Sequence, residues 1–152
     1  MSEPIPEIDC DVVVIGGGIA GLSTAVSALN EGAEVLLLEK APKLQRGGNS
    51  AIADAQIRYP HEPDAYCPTR QTKEDFFNAF MPVSRGRANK ELIHIVVDNA
   101  VDAVDWLTEM GIEWEKGYPN VAGYRRQPVG GGWQLVDTLY KHIERAGAYI
   151  AY

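Results

Sequence analysis

Two short apolar runs flank a segment with helical periodicity near the start of the chain. Residues 11–15 are mostly β-branched and end at three glycines, and residues 35–38 repeat the apolar pattern. Such runs predict strands of a parallel sheet that are buried on both faces. Between them, apolar residues spaced by three and four positions predict a helix over 18–30, which Gly32 ends. The pattern therefore predicts a right-handed βαβ unit over residues 11–39.

Two helices are predicted in the middle of the chain. Thr72 and Asp75 have the spacing of a capping box and predict a short helix that ends before Pro82. Residues 90–110 predict the longest helix, which Gly111 ends. The predicted apolar face of this helix consists of Leu92, Val96, Ala100, Ala103, Leu107 and Met110.

The end of the chain predicts a further helix and a strand. Residues 130–146 begin with three glycines and continue as an amphipathic helix, and residues 148–152 have the pattern of a strand. The predicted apolar side of the helix carries Leu135, Leu139, Ile143 and Ala146. By contrast, residues 42–66 and 117–128 mix Gly, Pro and charged residues without a sustained period. Both segments are therefore predicted to be irregular loops.

The composition is that of one soluble globular domain. The chain has 152 residues, of which 45% are hydrophobic and 23% charged, and this excludes a disordered or fibrous protein. Its formal net charge of −7 disfavours nucleic acid and membrane surfaces as partners. Without a targeting peptide or an apolar run of roughly 18 residues, we expect a cytoplasmic protein with no membrane span. Cys10 and Cys67 lack metal or redox spacing, so we expect free thiols and no metal site.

Three glycines between the first strand and the first helix carry the clearest chemical signal. Gly16, Gly18 and Gly21 match the pattern GxGxxG at the start of a predicted helix. In this context the glycines give a tight turn, room for a diphosphate and close helix–strand packing. Glu39 ends the second predicted strand, where a carboxylate can accept hydrogen bonds from both hydroxyls of an adenosine ribose. The spacing therefore predicts a dinucleotide site, with NAD and FAD as the candidates.

The segment Arg-Gly-Gly-Asn-Ser at residues 46–50 favours FAD over NAD. Its two glycines and polar neighbours can place hydrogen-bond donors along a diphosphate or a flavin edge, which a nicotinamide site does not need at this position. An ordinary surface turn is the alternative interpretation of this segment.

On these residues the sequence resembles the flavoprotein superfamily of fumarate reductase and succinate dehydrogenase, with FAD-dependent tricarballylate dehydrogenases as the most similar branch. The resemblance extends through nearly the whole chain. Besides the glycine motif and residues 46–50, it includes residues 39–42, residues 105–107 before Gly111, and residues 130–132 ahead of Leu135.

The resemblance implies that the chain is the N-terminal FAD-binding portion of a flavin-dependent oxidoreductase acting on a C–C bond of a carboxylic acid such as tricarballylate or fumarate. The implied cofactor-binding residues are Gly16, Gly18, Ile19, Ala20, Gly21, Glu39, Lys40, Arg46, Gly47, Gly48, Asn49 and Ser50. No histidine lies between Glu39 and Tyr59, and His61 is badly placed as an attachment point, so we expect noncovalent FAD. The catalytic residues are expected outside the chain, which would then be inactive alone.

The corresponding fold is α/β, with a Rossmann-like FAD-binding βαβ unit and a helical insertion, as the incomplete N-terminal part of a larger flavoprotein. We expect an N-terminal tail over 1–10 and a partial FAD-binding domain over 11–152. Within this domain the βαβ unit covers 11–39, loops and inserted helices cover 40–129, and the returning helix and strand cover 130–152. The expected partner of the full-length parent is a small carboxylate substrate, and a homo-oligomer is left open.

Two other functions are consistent with the sequence alone. The first is an NAD-binding regulatory module, and the second is a noncatalytic truncated interaction fragment. Arg125 and Arg126 are expected to be a solvated loop pair, with contact to a carboxylate substrate or a flavin phosphate as the alternative. His61 is expected at the surface of a loop.

Overall fold

The computed structural model describes residues 7–116 and 125–152. Its helices are α1 (Ile19–Asn30), α2 (Gly48–Ile52), α3 (Lys73–Val83), α4 (Lys90–Glu109) and α5 (Gly131–Arg145), with a 3-10 turn at Lys43–Gln45. Its strands are β1 (Val12–Ile15), β2 (Val35–Leu38), β3 (Ile57–Arg58), β4 (Arg125–Arg126) and β5 (Tyr149–Ala151). The chain divides into two compact units, one formed by Met1–Ile52 with Val136–Tyr152 and the other by Ala53–Leu135.

The first unit is built on a parallel three-stranded sheet with the order β1-β2-β5. Val12 pairs with Val35, and Leu36 pairs with Tyr149, so both neighbours of β2 run in its direction. Parallel neighbours need a crossover, which α1 supplies between β1 and β2. The predicted β-α-β order and the returning strand in the same sheet are therefore confirmed.

Only one face of β1 is buried. Val14 is 6% exposed, whereas its neighbours Val13 and Ile15 are 52% and 85% exposed. Successive side chains of a strand point to opposite faces, and α1 packs on one face of β1 and β2. The prediction that this strand is buried on both faces was wrong for the chain as described.

The segment predicted to be irregular contains regular structure. Residues 42–66 include the 3-10 turn, the five-residue helix α2 and the strand β3. These elements are too short to show a period in the sequence, which is why the prediction missed them. Gly47 and Gly48 precede or begin α2 with φ angles of +99° and +54°, a region that glycine adopts without a steric penalty.

The second unit contains the antiparallel pair β3 and β4, in which Ile57 pairs with Arg126. The expectation of a loop at Arg125–Arg126 was therefore wrong. The rest of the predicted loop, residues 117–124, lies outside the described residues.

A capping box begins α3, as the sequence predicted. The Asp75 amide donates to the Thr72 hydroxyl (3.0 Å), and the Thr72 amide donates to the Asp75 carboxylate (3.0 Å). The helix does not end before Pro82, however, but continues through it to Val83. Pro82 has no N–H to donate to the Asn78 carbonyl, and the helix ends one residue later, where the Ser84 amide donates to the Phe80 carbonyl (2.9 Å).

The long helix α4 has nearly the predicted length but a different buried face. Asn89 caps it by accepting from two first-turn amides, and Ile112 closes its end on Leu107. The buried residues of α4 are Ile93, Val97, Ala100, Val104 and Leu107. Leu92 and Val96, which were predicted on the buried face, are 60% and 49% exposed. Leu92 with Val96 and Ile93 with Val97 form two adjacent apolar stripes on α4. The stripe with Ile93 and Val97 is the buried one, on a helix that packs against α3.

Within the described ranges, no helix is long and apolar enough to cross a membrane.

Candidate functional site

A tight glycine turn joins β1 to α1 in the first unit. Gly16 has a φ of +98°, and its amide donates to the Leu38 carbonyl (2.8 Å), which holds the turn at the end of the sheet. A Cβ at Gly21 would collide with the Gly16 carbonyl oxygen and lie 3.2 Å from Val14. The third glycine of the motif therefore permits the close helix–strand packing that the sequence predicted.

The first turn of helix α1 follows directly on the glycine turn and contains backbone amides that have no partner within the helix. Leu22 is bonded to the Gly18 carbonyl (2.9 Å), so the amides before it lack the usual partner within the helix. The Ile19 amide donates to the Ser50 hydroxyl (3.1 Å), while Ala20 is exposed. Amides at the positive end of a helix form a site suited to an anion such as a diphosphate.

Gly18 leaves space in front of these amides. A Cβ at Gly18 would be 3.5 Å from the Ser50 hydroxyl, an ordinary contact distance, and the φ of −77° is accessible to any residue. The fold therefore does not itself require glycine at this position. An approaching ligand would require it, as the motif predicts.

The carboxylate of Glu39 lies against the glycine turn. Glu39 is 7% exposed, and its Oε2 accepts a hydrogen bond from the Gly17 amide (2.9 Å). Its Oε1 accepts a hydrogen bond from the Ala41 amide (2.8 Å). Each carboxylate oxygen has about two acceptor positions, so both oxygens can accept a second hydrogen bond. The structure thus brings together the two parts of the predicted ribose and diphosphate site.

The hydrogen bonds and exposure of two basic residues of the predicted site do not point to Glu39. Lys40 is exposed. The Arg46 guanidinium is buried, and its Nη1 donates to Glu144 (2.6 Å) and to the Tyr152 hydroxyl (2.7 Å). Burial lowers the pKa of Arg46, but its bonds to Glu144 and Tyr152 outweigh this effect and raise it overall. Arg46 therefore connects the segment after β2 to α5 and to the end of β5.

Of the remaining predicted residues in the segment 46–50, one packs against α5 and two are exposed to solvent. A Cβ at Gly47 would lie 2.5 Å from Val136 and 3.0 Å from Ala51, so this glycine allows α5 to pack closely. Gly48 and Asn49 are exposed at the start of α2, and a Cβ at Gly48 would meet no atom within 4 Å. Ser50, through its bond to Ile19, is the residue of this segment that reaches α1.

Tyr140 of α5 belongs to the cluster, although the sequence analysis did not select it. Its side chain is fully buried, and a Cβ at Gly17 would overlap its hydroxyl. The hydroxyl has no hydrogen-bond partner among the described residues. Tyr140 lies four positions after the buried Val136, and this spacing was the available signal that α5 has a wider apolar face.

The second unit holds a different cluster around Arg126. Arg126 donates to Asp64 (2.8 Å), and its guanidinium carbon lies 5.2 Å, 4.8 Å and 6.0 Å from the ring centres of Tyr59, Tyr66 and Trp114. Burial would raise the pKa of Asp64, but the bond to Arg126 and two backbone amides lower it overall. The expectation of a solvated arginine pair was therefore wrong for Arg126.

His61 is also more enclosed than expected. Its ring lies at an angle of 31° to the ring of Tyr59, with 4.7 Å between ring centres, and Nδ1 lies 2.7 Å from the Tyr59 carbonyl oxygen. A backbone bridge to Gln71 fixes the segment. His61 is half-buried and its Nε2 atom is buried, so the predicted surface position holds for only part of the residue.

Comparison with known proteins identifies the family. The sequence matches the family described as FAD binding domain over residues 11–146. The chain belongs to this FAD-binding family. The match decides between the two dinucleotides in favour of FAD, the cofactor predicted from residues 46–50.

Relatives of this FAD-binding domain include fumarate reductases. It is 36% identical over 103 residues to the NADH:fumarate oxidoreductase of Klebsiella pneumoniae, covering 67% of this chain and 11% of that protein. It is 33% identical over 143 residues to the fumarate reductase (cytochrome) of Shewanella frigidimarina, covering 89% of this chain and 24% of that protein. The predicted superfamily of fumarate reductase and succinate dehydrogenase flavoproteins is confirmed.

Solved structures agree with this assignment. The open conformation of a flavocytochrome c3 fumarate reductase superposes with a TM-score of 0.77 and 26% identity, covering 93% of this chain and 26% of that chain. A 3-ketosteroid dehydrogenase from Rhodococcus jostii shares the fold, with a TM-score of 0.78 and 24% identity over 94% of this chain and 37% of that chain. The predicted α/β fold, as part of a larger flavoprotein fold, is therefore confirmed.

FAD fits the residues of the first unit. The space in front of Gly18 and the amides of α1 suit its diphosphate, and Glu39 retains acceptor positions for ribose hydroxyls. The buried hydroxyl of Tyr140 beside them, for which the described residues offer no hydrogen-bond partner, also indicates that the cluster is adapted to a further polar group.

Proposed function

We propose that the chain is the FAD-binding portion of a larger flavin-dependent oxidoreductase that oxidises or reduces a C–C bond beside a carboxylate. The observation that carries the proposal is the bond between Glu39 and the Gly17 amide, which holds a carboxylate with remaining acceptor positions next to the first-turn amides of α1. Relatives named as fumarate reductases support a fumarate-like substrate. A tricarballylate-like substrate, predicted from the sequence resemblance, is the finer form of the same proposal.

In this proposal the chain's own residues bind and orient the cofactor. The amides of Ala20 and Gly21 face the diphosphate, while the Ile19 amide holds the Ser50 hydroxyl beside them, and Glu39 accepts hydrogen bonds from the adenosine ribose. Ser50 and its exposed neighbours Gly48 and Asn49 supply polar groups to the diphosphate on the flavin side. When bound, FAD supplies hydride exchange with the substrate carbon.

We infer noncovalent attachment of FAD from the position of the histidines. No histidine lies between Glu39 and Tyr59 in the sequence. The next one, His61, has its Nδ1 against the Tyr59 carbonyl and its Nε2 buried. With Nδ1 donating to that carbonyl, Nε2 carries the lone pair, and its burial is what argues against attachment of FAD at His61.

The chain alone is proposed to bind FAD without turning over substrate. The groups that surround the glycine turn are backbone amides, a hydroxyl and a carboxylate that already holds two amides. These groups bind a diphosphate and a ribose, but they do not provide the proton donor and carboxylate clamps that reduction of an unsaturated acid requires.

Titration of the purified chain with FAD, followed by flavin fluorescence, tests the proposal. We expect saturable binding that Glu39→Gln weakens roughly ten- to 150-fold, since a hydrogen bond to a charged group contributes about 1.5–3 kcal/mol. Glu31→Gln, at the exposed end of α1, is the matched control and should bind like wild type. The proposal is refuted if neither FAD nor ADP binds to the folded wild-type chain. Reduced FAD and fumarate added to the chain should give no turnover above the free cofactor.

A further inference from the structure

The hydroxyl of Tyr140 is buried in the first unit without a hydrogen-bond partner among the described residues, which is unusual for a polar group in a protein interior. The residue as a whole is fully buried. Leaving such a donor unpaired costs about 1–3 kcal/mol, so a buried hydroxyl without a partner requires a physical explanation.

The surroundings of this hydroxyl point toward the cofactor site. A Cβ built on Gly17 would overlap the hydroxyl and would lie 2.8 Å from Glu39 Oε2. The phenol oxygen and the carboxylate oxygen therefore flank the same small volume, next to the Gly17 amide. The absence of a side chain at position 17 makes room for both.

The ring that carries the hydroxyl is held in place from the other side. The Arg46 guanidinium lies over the ring of Tyr140, 3.9 Å from its centre, and is itself fixed by Glu144 and Tyr152. Such a cation–π contact adds to the packing that fixes the ring. Burial, and next the negative charge of Glu39, raise the pKa of Tyr140, so the phenol keeps its proton and remains a donor throughout the neutral range.

We propose that Tyr140 is a positioning residue of the FAD site, whose hydroxyl donates a hydrogen bond to the Glu39 carboxylate when Glu39 binds the adenosine ribose. The carboxylate can accept this bond because its two oxygens hold only one amide each. The added donor fixes the carboxylate while its outer acceptor positions face the ribose. This inference rests on the proposed role of Glu39.

Tyr140→Phe tests the proposal because it removes only the hydroxyl. The free variant should unfold at the same or a higher urea concentration than wild type, since the lost hydroxyl has no hydrogen-bond partner in the described part of the free chain. Its Kd for FAD and for ADP should rise about tenfold, the effect of losing one hydrogen bond to a charged group. Tyr149→Phe, which alters an exposed tyrosine of the same unit, is the matched control and should leave both measurements unchanged.

Two further measurements separate positioning from a general packing effect. The loss caused by Tyr140→Phe should disappear for 2′,3′-dideoxy-ADP, which lacks the hydroxyls that Glu39 would bind. It should also disappear in a Glu39→Gln background, as a double-mutant cycle reports for coupled residues.

Each outcome bears on a different claim. If wild type and Glu39→Gln bind ADP equally, the role of Glu39 fails and the inference about Tyr140 fails with it. If Glu39→Gln binds weakly but Tyr140→Phe binds like wild type, only the inference about Tyr140 is overturned. An equal loss for ADP and its dideoxy analogue would likewise overturn it.

Discussion

Two glycines of the same motif are expected to respond in opposite ways to the same added methyl group. In Gly21→Ala the new Cβ falls on the Gly16 carbonyl oxygen, which is backbone and cannot rotate away. In Gly18→Ala the new Cβ lies 3.5 Å from its nearest neighbour, the flexible hydroxyl of Ser50. The first change disturbs the fold, whereas the second alters only the surface that a ligand approaches.

The magnitudes follow from these contacts. Inserting a methyl group into a close-packed site costs typically about 1–3 kcal/mol, and Gly21→Ala should cost at least this much because backbone must move. For Gly18→Ala, the lower entropy of the unfolded chain stabilises by about 0.4–1 kcal/mol. A small loss at the helix N-cap offsets this gain, so the free energy of unfolding should change by less than about 1 kcal/mol. If the diphosphate contacts Gly18, a similar overpacking cost of about 1–3 kcal/mol weakens FAD binding roughly five- to 150-fold.

Urea unfolding followed by circular dichroism, together with FAD titration at a temperature where both variants are folded, measures these effects. Gly18→Ala should retain the wild-type unfolding midpoint and lose FAD affinity, and Gly21→Ala should lose stability first. The reasoning about the diphosphate would be refuted by a stable Gly18→Ala variant that binds FAD like wild type. A wild-type unfolding midpoint for Gly21→Ala would contradict the close packing of helix and strand.

Two more predictions concern the buried arginines. Asp64→Asn should lower the urea midpoint of unfolding at pH 7, since hydrogen bonds from Arg126 and two backbone amides lower the pKa of Asp64 in the folded chain. The stabilisation by the ionised carboxylate is present above the unfolded pKa of about 4 and is lost as the pH falls through the folded pKa. The difference from wild type should therefore shrink between pH 7 and about pH 2, and a constant difference would exclude this ion pair as its source. Arg46→Met should destabilise the chain by about 2 kcal/mol, because its bonds to charged and polar partners are lost. Its FAD affinity should fall no further than the roughly tenfold expected for Tyr140→Phe, because Arg46 lies over the ring of Tyr140, and a larger loss would support the cofactor contact predicted from the sequence.

The elements that the sequence predicted best are those whose pattern is decided locally. The first two strands and α1 follow from short apolar runs, a glycine turn and regular spacing. The meeting of Glu39 with this turn also follows from the sequence, because parallel neighbouring strands end at the same edge of a sheet. The segment at residues 46–50 added the choice of FAD, which the glycine pattern alone leaves open.

The features that were missed depend on distant partners. Arg46 binds side chains 98 and 106 positions later in the chain, and no local pattern contains that pairing. The buried stripe of α4 is selected by α3, since Leu92 and Ile93 are equally apolar in the sequence. Tyr140 was overlooked for the same reason, because its significance comes from the empty position beside it at Gly17.

The bond from the Ile19 amide to the Ser50 hydroxyl means that the anion-facing end of α1 is completed by a residue 31 positions away. A peptide restricted to the first two strands and their helix would contain every glycine of the motif but not this hydroxyl. Lengthening or shortening the segment after Glu39 would displace Ser50 while leaving the motif intact. The number of residues between Glu39 and Ser50 can therefore change the affinity of the proposed cofactor site without any change in its glycines.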